Sequence, residues 1–484
     1  MDRRGFLATS LAASCAVAAA PSAFAAPFRG ADLRLTVRPD RLGNPIAADF
    51  TGLSYETSQL SDPTFFAPEN AALAAFHRRL GAAGILRIGG NTSEFSVWTA
   101  SGTPSHALPE AIGPDTGRHP APRRPVTALA VRNLSGFLEL SGWRLIYGLN
   151  MGSESPETVA DEAAYVAGVM GDKLVAFQLC NEPDLFSKNG LRPPSYDYRQ
   201  FAAQWRRYFR AIKARVPTAV LAGPDTAGDN EWLVRFADDL RHDVAFLTHH
   251  YYAEGPPTDP SMTVERLLSP SPKLQAEFEA AAATRKETGL PFRMAETNSC
   301  YSGGKPGVSD TFASALWGAD LMYQLAAAGA TGVNFHGGGY GWYTPVAGTR
   351  ASGFVARPIY YGMLLFAAAQ AGRLIMTAMD GAADGSVSAY GLKARDGALR
   401  VVILNKSLEA DVTLAINAAG AKRALVIRLT APRPEDTTDV TFGGSVVGND
   451  GAWTPAITES LAARQGVLTL RMPRASGALV TLLG

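Results

Sequence analysis

The chain has 484 residues, 46% of them apolar and 18% charged, with a formal net charge of +1. That length requires more than one core, and the balance excludes a disordered chain and a nucleic-acid binder driven by bulk charge. The most basic stretches, 118–124 and 206–215, read as a Pro-rich loop and a solvated helix face.

At the start, Asp2-Arg3-Arg4-Gly5-Phe6-Leu7, an alanine-rich run and Ala23-Phe24-Ala25 read as a twin-arginine export signal over 1–25. Pro21 and scattered Ser and Thr break the run, which is short for a bilayer span. The mature chain is therefore expected in the periplasm or secreted, free of the membrane. Twin-arginine export moves folded proteins, so Cys180 and Cys300 are expected as small buried thiols rather than a disulfide. Two scattered cysteines do not make a metal site, and adjacent His249 and His250 would point to opposite sides of a strand. No metal and no cofactor are expected.

Residues 26–46 contain an alternating strand, Asp32 to Val37, that is expected to join a later sheet. Over 47–362, short apolar runs alternate with helical patterns, the signature of β/α repeats. Strands are predicted at 49–55, 85–89, 144–149, 174–179, 219–223, 244–248, 291–295 and 331–335. Helices are predicted at 69–83, 156–170, 198–216, 273–288 and 310–328. Eight such strands predict an α/β fold, a closed (β/α)8 TIM barrel. From about Leu364 the pattern turns to period-two alternation punctuated by Gly and Asp, which predicts a C-terminal antiparallel β-sandwich over 363–484. The Pro- and Gly-rich segment 100–126 is a candidate wall for a cleft.

Two of these strands end at carboxylates. The run from Leu174 leads into Asn181-Glu182-Pro183-Asp184, and the run from Phe292 leads into Glu296-Thr297-Asn298-Ser299-Cys300-Tyr301. The carboxyl ends of barrel strands converge on one mouth, so residues distant in sequence can face each other there. Cleaving a glycosidic bond needs a proton on the leaving oxygen and a nucleophile or base at the anomeric carbon, which two glutamates can supply. Asn181 is placed to hold a sugar 2-hydroxyl beside Glu182.

The chain resembles glycoside hydrolase family 79, the β-glucuronidases and heparanases. The resemblance rests on Gly52-Leu53-Ser54-Tyr55-Glu56, Leu86-Arg87-Ile88-Gly89-Gly90-Asn91, Asn181-Glu182-Pro183-Asp184, His249-His250-Tyr251-Tyr252, Glu296-Thr297-Asn298-Ser299 with Tyr301, and 337–343. It implies Glu182 as acid/base and Glu296 as nucleophile of a retaining exo-β-glucuronidase. It also implies Glu56 and Asn91 as holders of sugar hydroxyls and Tyr252 as a hydrogen-bond donor to the nucleophile. A uronate carboxylate would lie among Tyr301, Ser302, Gly303, Gly304 and Tyr343, with Tyr340 as an alternative for the last; Lys305 could add charge. The implied partner is a glucuronic-acid-containing glycoside or oligosaccharide. An endo-acting heparanase, a neutral β-glycosidase and a non-catalytic carbohydrate binder are the alternatives. The sequence says nothing of oligomeric state.

Overall fold

The computed structural model describes residues 32–100, 123–339, 341–381, 385–417 and 420–484. The export signal, most of the candidate wall at 100–126, and Tyr340 lie outside the described residues.

Eight parallel strands close a barrel: Thr51–Glu56, Ile85–Gly89, Arg144–Leu149, Leu174–Leu179, Leu221–Thr226, Phe246–Glu254, Phe292–Cys300 and Val333–Gly337. The strands are covered by helices outside and by packed side chains inside, so the apolar runs are buried on both faces. This bears out the predicted barrel.

Two strands run further than their apolar stretches. The sixth was expected to stop at 248 and the seventh at 295, yet they continue to Glu254 and Cys300. Most of the added residues are polar, and they pair with each other, His250 opposite Glu296 and Tyr252 opposite Asn298. Buried polar side chains with partners continue a strand as well as apolar ones do. Between Met294 and Glu296 the register shifts. Such a bulge re-aims the side chain that follows it.

Helices between the strands start and stop on local signals. Ser155 caps Pro156–Met170 with Pro at the first turn, and Asp197 with Gln200 forms a capping box on Tyr198–Arg215. Helices Ala128–Ser141, Asn230–Leu240 and Pro358–Ala368 were not predicted. The last contains Leu364, where sheet alternation was expected to begin. It is apolar on nearly every side because it is wedged between the barrel helix Phe312–Ala327 and the sheet, so it carries no helical period.

The second layer is one hydrogen-bonded sheet of ten strands. The N-terminal strand Leu33–Pro45 lies inside it, antiparallel to Ala371–Asp380 and parallel to Val412–Asn417, so the expected N-terminal strand is taken in and the sheet contains one parallel pairing. One face encloses its own core around Leu35, Val401, Ile403, Leu414, Leu470 and Val480. The other face, with Leu392, Val402, Leu404 and Leu479, is continuous with the barrel core. A buried ion pair, Lys406 Nζ to Asp320 Oδ2 at 2.6 Å, and Tyr390 donating to Asp320 Oδ1 at 2.6 Å tie sheet to barrel. Trp453 stacks on Phe442 within the sheet domain. Among the described residues no helix is long and apolar enough to cross a membrane.

Candidate active site

The carboxyl ends of the first, second, fourth, sixth, seventh and eighth strands supply polar side chains to one mouth. A cavity of about 400 Å³ opens there, with Glu182 and Glu296 in its wall. Glu56, Asn91, Tyr252, Tyr301, Ser302, Gly303 and Tyr343 share that wall. Two expected residues stand behind it. Asn181 is buried and donates to Asn91 Oδ1 at 3.1 Å. Gly304 has φ +89°, and a side chain there would meet the Tyr343 N–H at 2.8 Å, so it lets the loops after the seventh and eighth strands close on each other.

Glu182 follows a sharp turn in which Cys180 (φ 74°) and Glu182 (φ 49°) both take left-handed conformations. Asp225 (φ 65°) and Ser302 (φ 59°) do the same nearby. For non-glycine residues each such position costs about 1–3 kcal/mol and persists only where surrounding contacts enforce it. The Glu182 N–H donates to the Asp225 carbonyl at 2.9 Å. Its carboxylate faces His250, with Nδ1 3.0 Å from Oε1.

At the centre lies Arg87, which is wholly buried. One guanidinium nitrogen donates to Glu296 Oε2 and to Ser54 Oγ at 3.1 Å. The other donates to Asp225 Oδ2 at 2.5 Å and Asn181 Oδ1 at 2.8 Å, while Nε donates to Gln178 Oε1 at 2.9 Å. Five donors are thus committed, as a charge removed from water requires. Tyr252 donates to the other Glu296 oxygen at 2.7 Å. His336 bridges carboxylates, with Nε2 3.3 Å from Glu56 Oε1 and Nδ1 3.5 Å from Glu296 Oε2. Glu56 itself accepts from Thr92 N–H at 2.8 Å and Thr92 Oγ1 at 2.5 Å. A side chain at Gly90, φ +72°, would collide with that carboxylate at 2.4 Å, so only glycine fits.

These contacts set the charges. Burial pushes the Glu296 carboxyl up, but His336, His250, Arg87 and the Tyr252 hydrogen bond outweigh it and hold Glu296 well below the usual carboxylate range. Burial lowers His250, yet Asp225, Glu296 and Glu182 raise it to about 10. His250 Nε2 stands 3.0 Å from Asp225 Oδ1, an ion-pair contact rather than an aligned hydrogen bond. Burial and the neighbouring Glu296 push Tyr252 far up, which keeps its hydroxyl a donor.

At least one oxygen of Glu182 lies within 4.8 Å of one of Glu296, with His250 inside the same limit. Three such groups have the spacing that could surround a metal ion. Neighbouring His249 points away, its Nδ1 2.7 Å from Thr226 Oγ1. Lys305 is turned aside to the Asp259 carbonyl at 2.6 Å. Cys180 and Cys300 are buried free thiols.

Arg87, Asp225 and Lys273 were not singled out from the sequence. Arg87 had a usable signal, since a charged residue inside an apolar barrel strand is buried and therefore paired, whereas Asp225 lies beyond the strand predicted at 219–223, after Gly223-Pro224. Lys273, at the cavity rim with Nζ donating to the Tyr252 carbonyl at 2.8 Å, had none, because it opens an ordinary surface helix.

No protein-family model matches the chain. It is 26% identical over 378 residues to a beta-glucuronidase of Neurospora crassa, covering 69% of this chain and 66% of that protein. To a beta-glucuronidase of Aspergillus niger it is 25% identical over 412 residues, covering 76% and 73%. To heparanase-like protein 1 of Arabidopsis thaliana it is 27% identical over 208 residues, 41% of this chain and 36% of that one. Among solved structures, the 4-O-alpha-L-rhamnosyl-beta-D-glucuronidase of Fusarium oxysporum superposes with a TM-score of 0.74 at 18% identity, over 92% of this chain and 98% of that one. The relatives support glycoside hydrolase activity, and the solved structure shows the shared fold. Consistent with the motif resemblance to glycoside hydrolase family 79, the chain is a relative of curated beta-glucuronidases and of a heparanase-like protein, built on a glycoside hydrolase barrel with an appended sheet domain.

Proposed function

We propose that the protein is an exported, retaining exo-β-glucuronidase that releases terminal β-linked glucuronic acid by double displacement. Glu296 is the nucleophile, ionised and aimed by Arg87 and Tyr252. Glu182 is the acid/base. Carboxyl groups about 5–5.5 Å apart leave no room for an intervening water, which favours a covalent glycosyl-enzyme over direct inversion, and oxygens within 4.8 Å agree with that spacing. When Glu182 gives its proton to the leaving oxygen, the new carboxylate faces the His250 Nδ1 donor. Esterified Glu296 loses its charge, and Glu182 then takes a proton from the attacking water.

Two consecutive N–H groups carry the uronic-acid assignment. Those of Ser302 and Gly303, both in the cavity wall, donate to no group among the described residues, and both residues have positive φ (59° and 87°). Successive free N–H groups in a turn form a concavity suited to an anion. A neutral sugar needs no such cradle beside an anionic nucleophile. The near-neutral net charge of +1 favours a small glucuronide over a long sulfated polyanion gripped on both sides of the bond.

The test is turnover of 4-nitrophenyl β-glucuronide against 4-nitrophenyl β-glucoside. We expect the glucuronide to be cleaved in strong preference. Preference for the glucoside would transfer the assignment to a neutral β-glycosidase. Cleavage of neither, with cleavage of an internal bond in a glucuronan-type oligosaccharide, would transfer it to endo action.

A further inference from the structure

We infer that Glu94 is a positioning residue for the acid/base carboxyl, a buried strut that sets where Glu182 delivers its proton. The inference rests on the assignment of Glu182 as acid/base. Glu94 lies in the 3-10 turn Asn91–Phe95 after the second barrel strand and is 1% exposed. It does not border the catalytic cavity, so it does not touch the sugar.

Its two oxygens grip two other barrel loops. Oε1 accepts the Asn181 N–H at 2.6 Å, and Oε2 accepts the Gly152 N–H at 2.5 Å. Its own carbonyl accepts Ser153 Oγ at 2.8 Å. The loop after the third strand is held from its carbonyl side by Arg192, which donates to Gly152 O and Met151 O, each at 2.9 Å. A side chain at Gly152 would meet Glu94 Oε2 at 2.6 Å, so the contact requires glycine there.

Asn181 sits between the two left-handed residues Cys180 and Glu182, a segment that holds its shape only if its surroundings enforce it. The enforcing bonds come from consecutive residues: Asn181 N–H to Glu94, and Glu182 N–H to Asp225. Together they fix the peptide from which the Glu182 side chain projects. A glutamine at 94 can accept one of the two N–H groups but must turn its own N–H toward the other. That frees one end of the turn and lets the proton donor drift from the leaving oxygen.

A displaced acid slows formation of the glycosyl-enzyme only where the leaving group needs its proton, and kcat/KM reads that step alone, before Glu182 acts as base in hydrolysis of the intermediate. Phenyl β-glucuronide needs its leaving oxygen protonated, whereas 2,4-dinitrophenyl β-glucuronide departs as a stable anion. The experiment measures kcat and KM for both substrates with wild type, Glu94→Gln and Glu182→Ala. A misplacement near 1 Å costs about 10²-fold, so we expect a kcat/KM loss of about that size for Glu94→Gln on the phenyl substrate. kcat/KM for the dinitrophenyl substrate should be nearly spared, a weaker version of the Glu182→Ala pattern. Equal losses of kcat/KM on both substrates, or none on either, would overturn the strut role. If Glu94→Gln does not fold, the same split is read from Gly152→Ala, which pushes on Oε2 from the opposite loop. A loss confined to the phenyl substrate then supports the strut, and equal losses or none overturn it. If Glu182→Ala itself loses kcat/KM on both substrates alike, the acid/base assignment falls and the strut role falls with it.

Discussion

Glu296→Gln is expected to lower turnover of an aryl β-glucuronide by roughly 10⁴-fold or more, the scale on which nucleophile removal acts in enzymes that work through a covalent intermediate. The amide matches the carboxylate in shape, so the cavity keeps its form. It lacks the charge that attacks the anomeric carbon and cannot form the glycosyl ester. The cations around it are then short of a counter-charge: Arg87 retains Asp225, His250 retains Asp225 and Glu182, and His336 retains Glu56. Steady-state kinetics on purified protein checks the outcome. Residual activity within tenfold of wild type would move the nucleophile elsewhere.

Arg87→Met carries the second large effect, on stability and on pH dependence together. Removing one partner of a buried ion pair leaves the other charge desolvated and costs about 3–5 kcal/mol. Here two carboxylates, Asp225 and Glu296, lose the same guanidinium, so the upper part of that range is expected in denaturant unfolding. The pH effect follows from Glu296, whose folded pKa lies below the usual carboxylate value despite burial. A group with a depressed folded pKa stabilises the fold above its unfolded pKa, and that stabilisation is lost as pH falls through the folded value. Without Arg87 the depression shrinks, and the acid limb of kcat/KM moves to higher pH. A variant as stable as wild type, with an unmoved acid limb, would show that Arg87 does not control the nucleophile.

The barrel was legible because its strands are apolar runs that end in polar clusters, and those clusters meet at one mouth once eight strands close. Glu182 was found by its place after such a run. Glu296 was found in the same way, although it stands inside the seventh strand and owes its direction to a bulge that no residue pattern marks. Helix Pro358–Ala368 was illegible because burial on all sides erases periodicity. The N-terminal strand was legible as a sheet member by its alternation, but its parallel partner Val412–Asn417 was not, since pairing depends on how the sheet folds back on itself. Arg87 stood inside one of the family motifs and was passed over, although a lone cation in an apolar strand must find buried anions. The network of Glu94 with Asn181 and Gly152 joins backbone groups, which residue identity does not reveal.

The most direct measurement is proton NMR of the first sugar released from 4-nitrophenyl β-glucuronide, read before the anomers equilibrate. Carboxylates this close predict release of β-glucuronic acid, with the α anomer appearing only later through mutarotation. First release of the α anomer would contradict double displacement through Glu296, and absence of any glucuronic acid would contradict the assignment of the sugar.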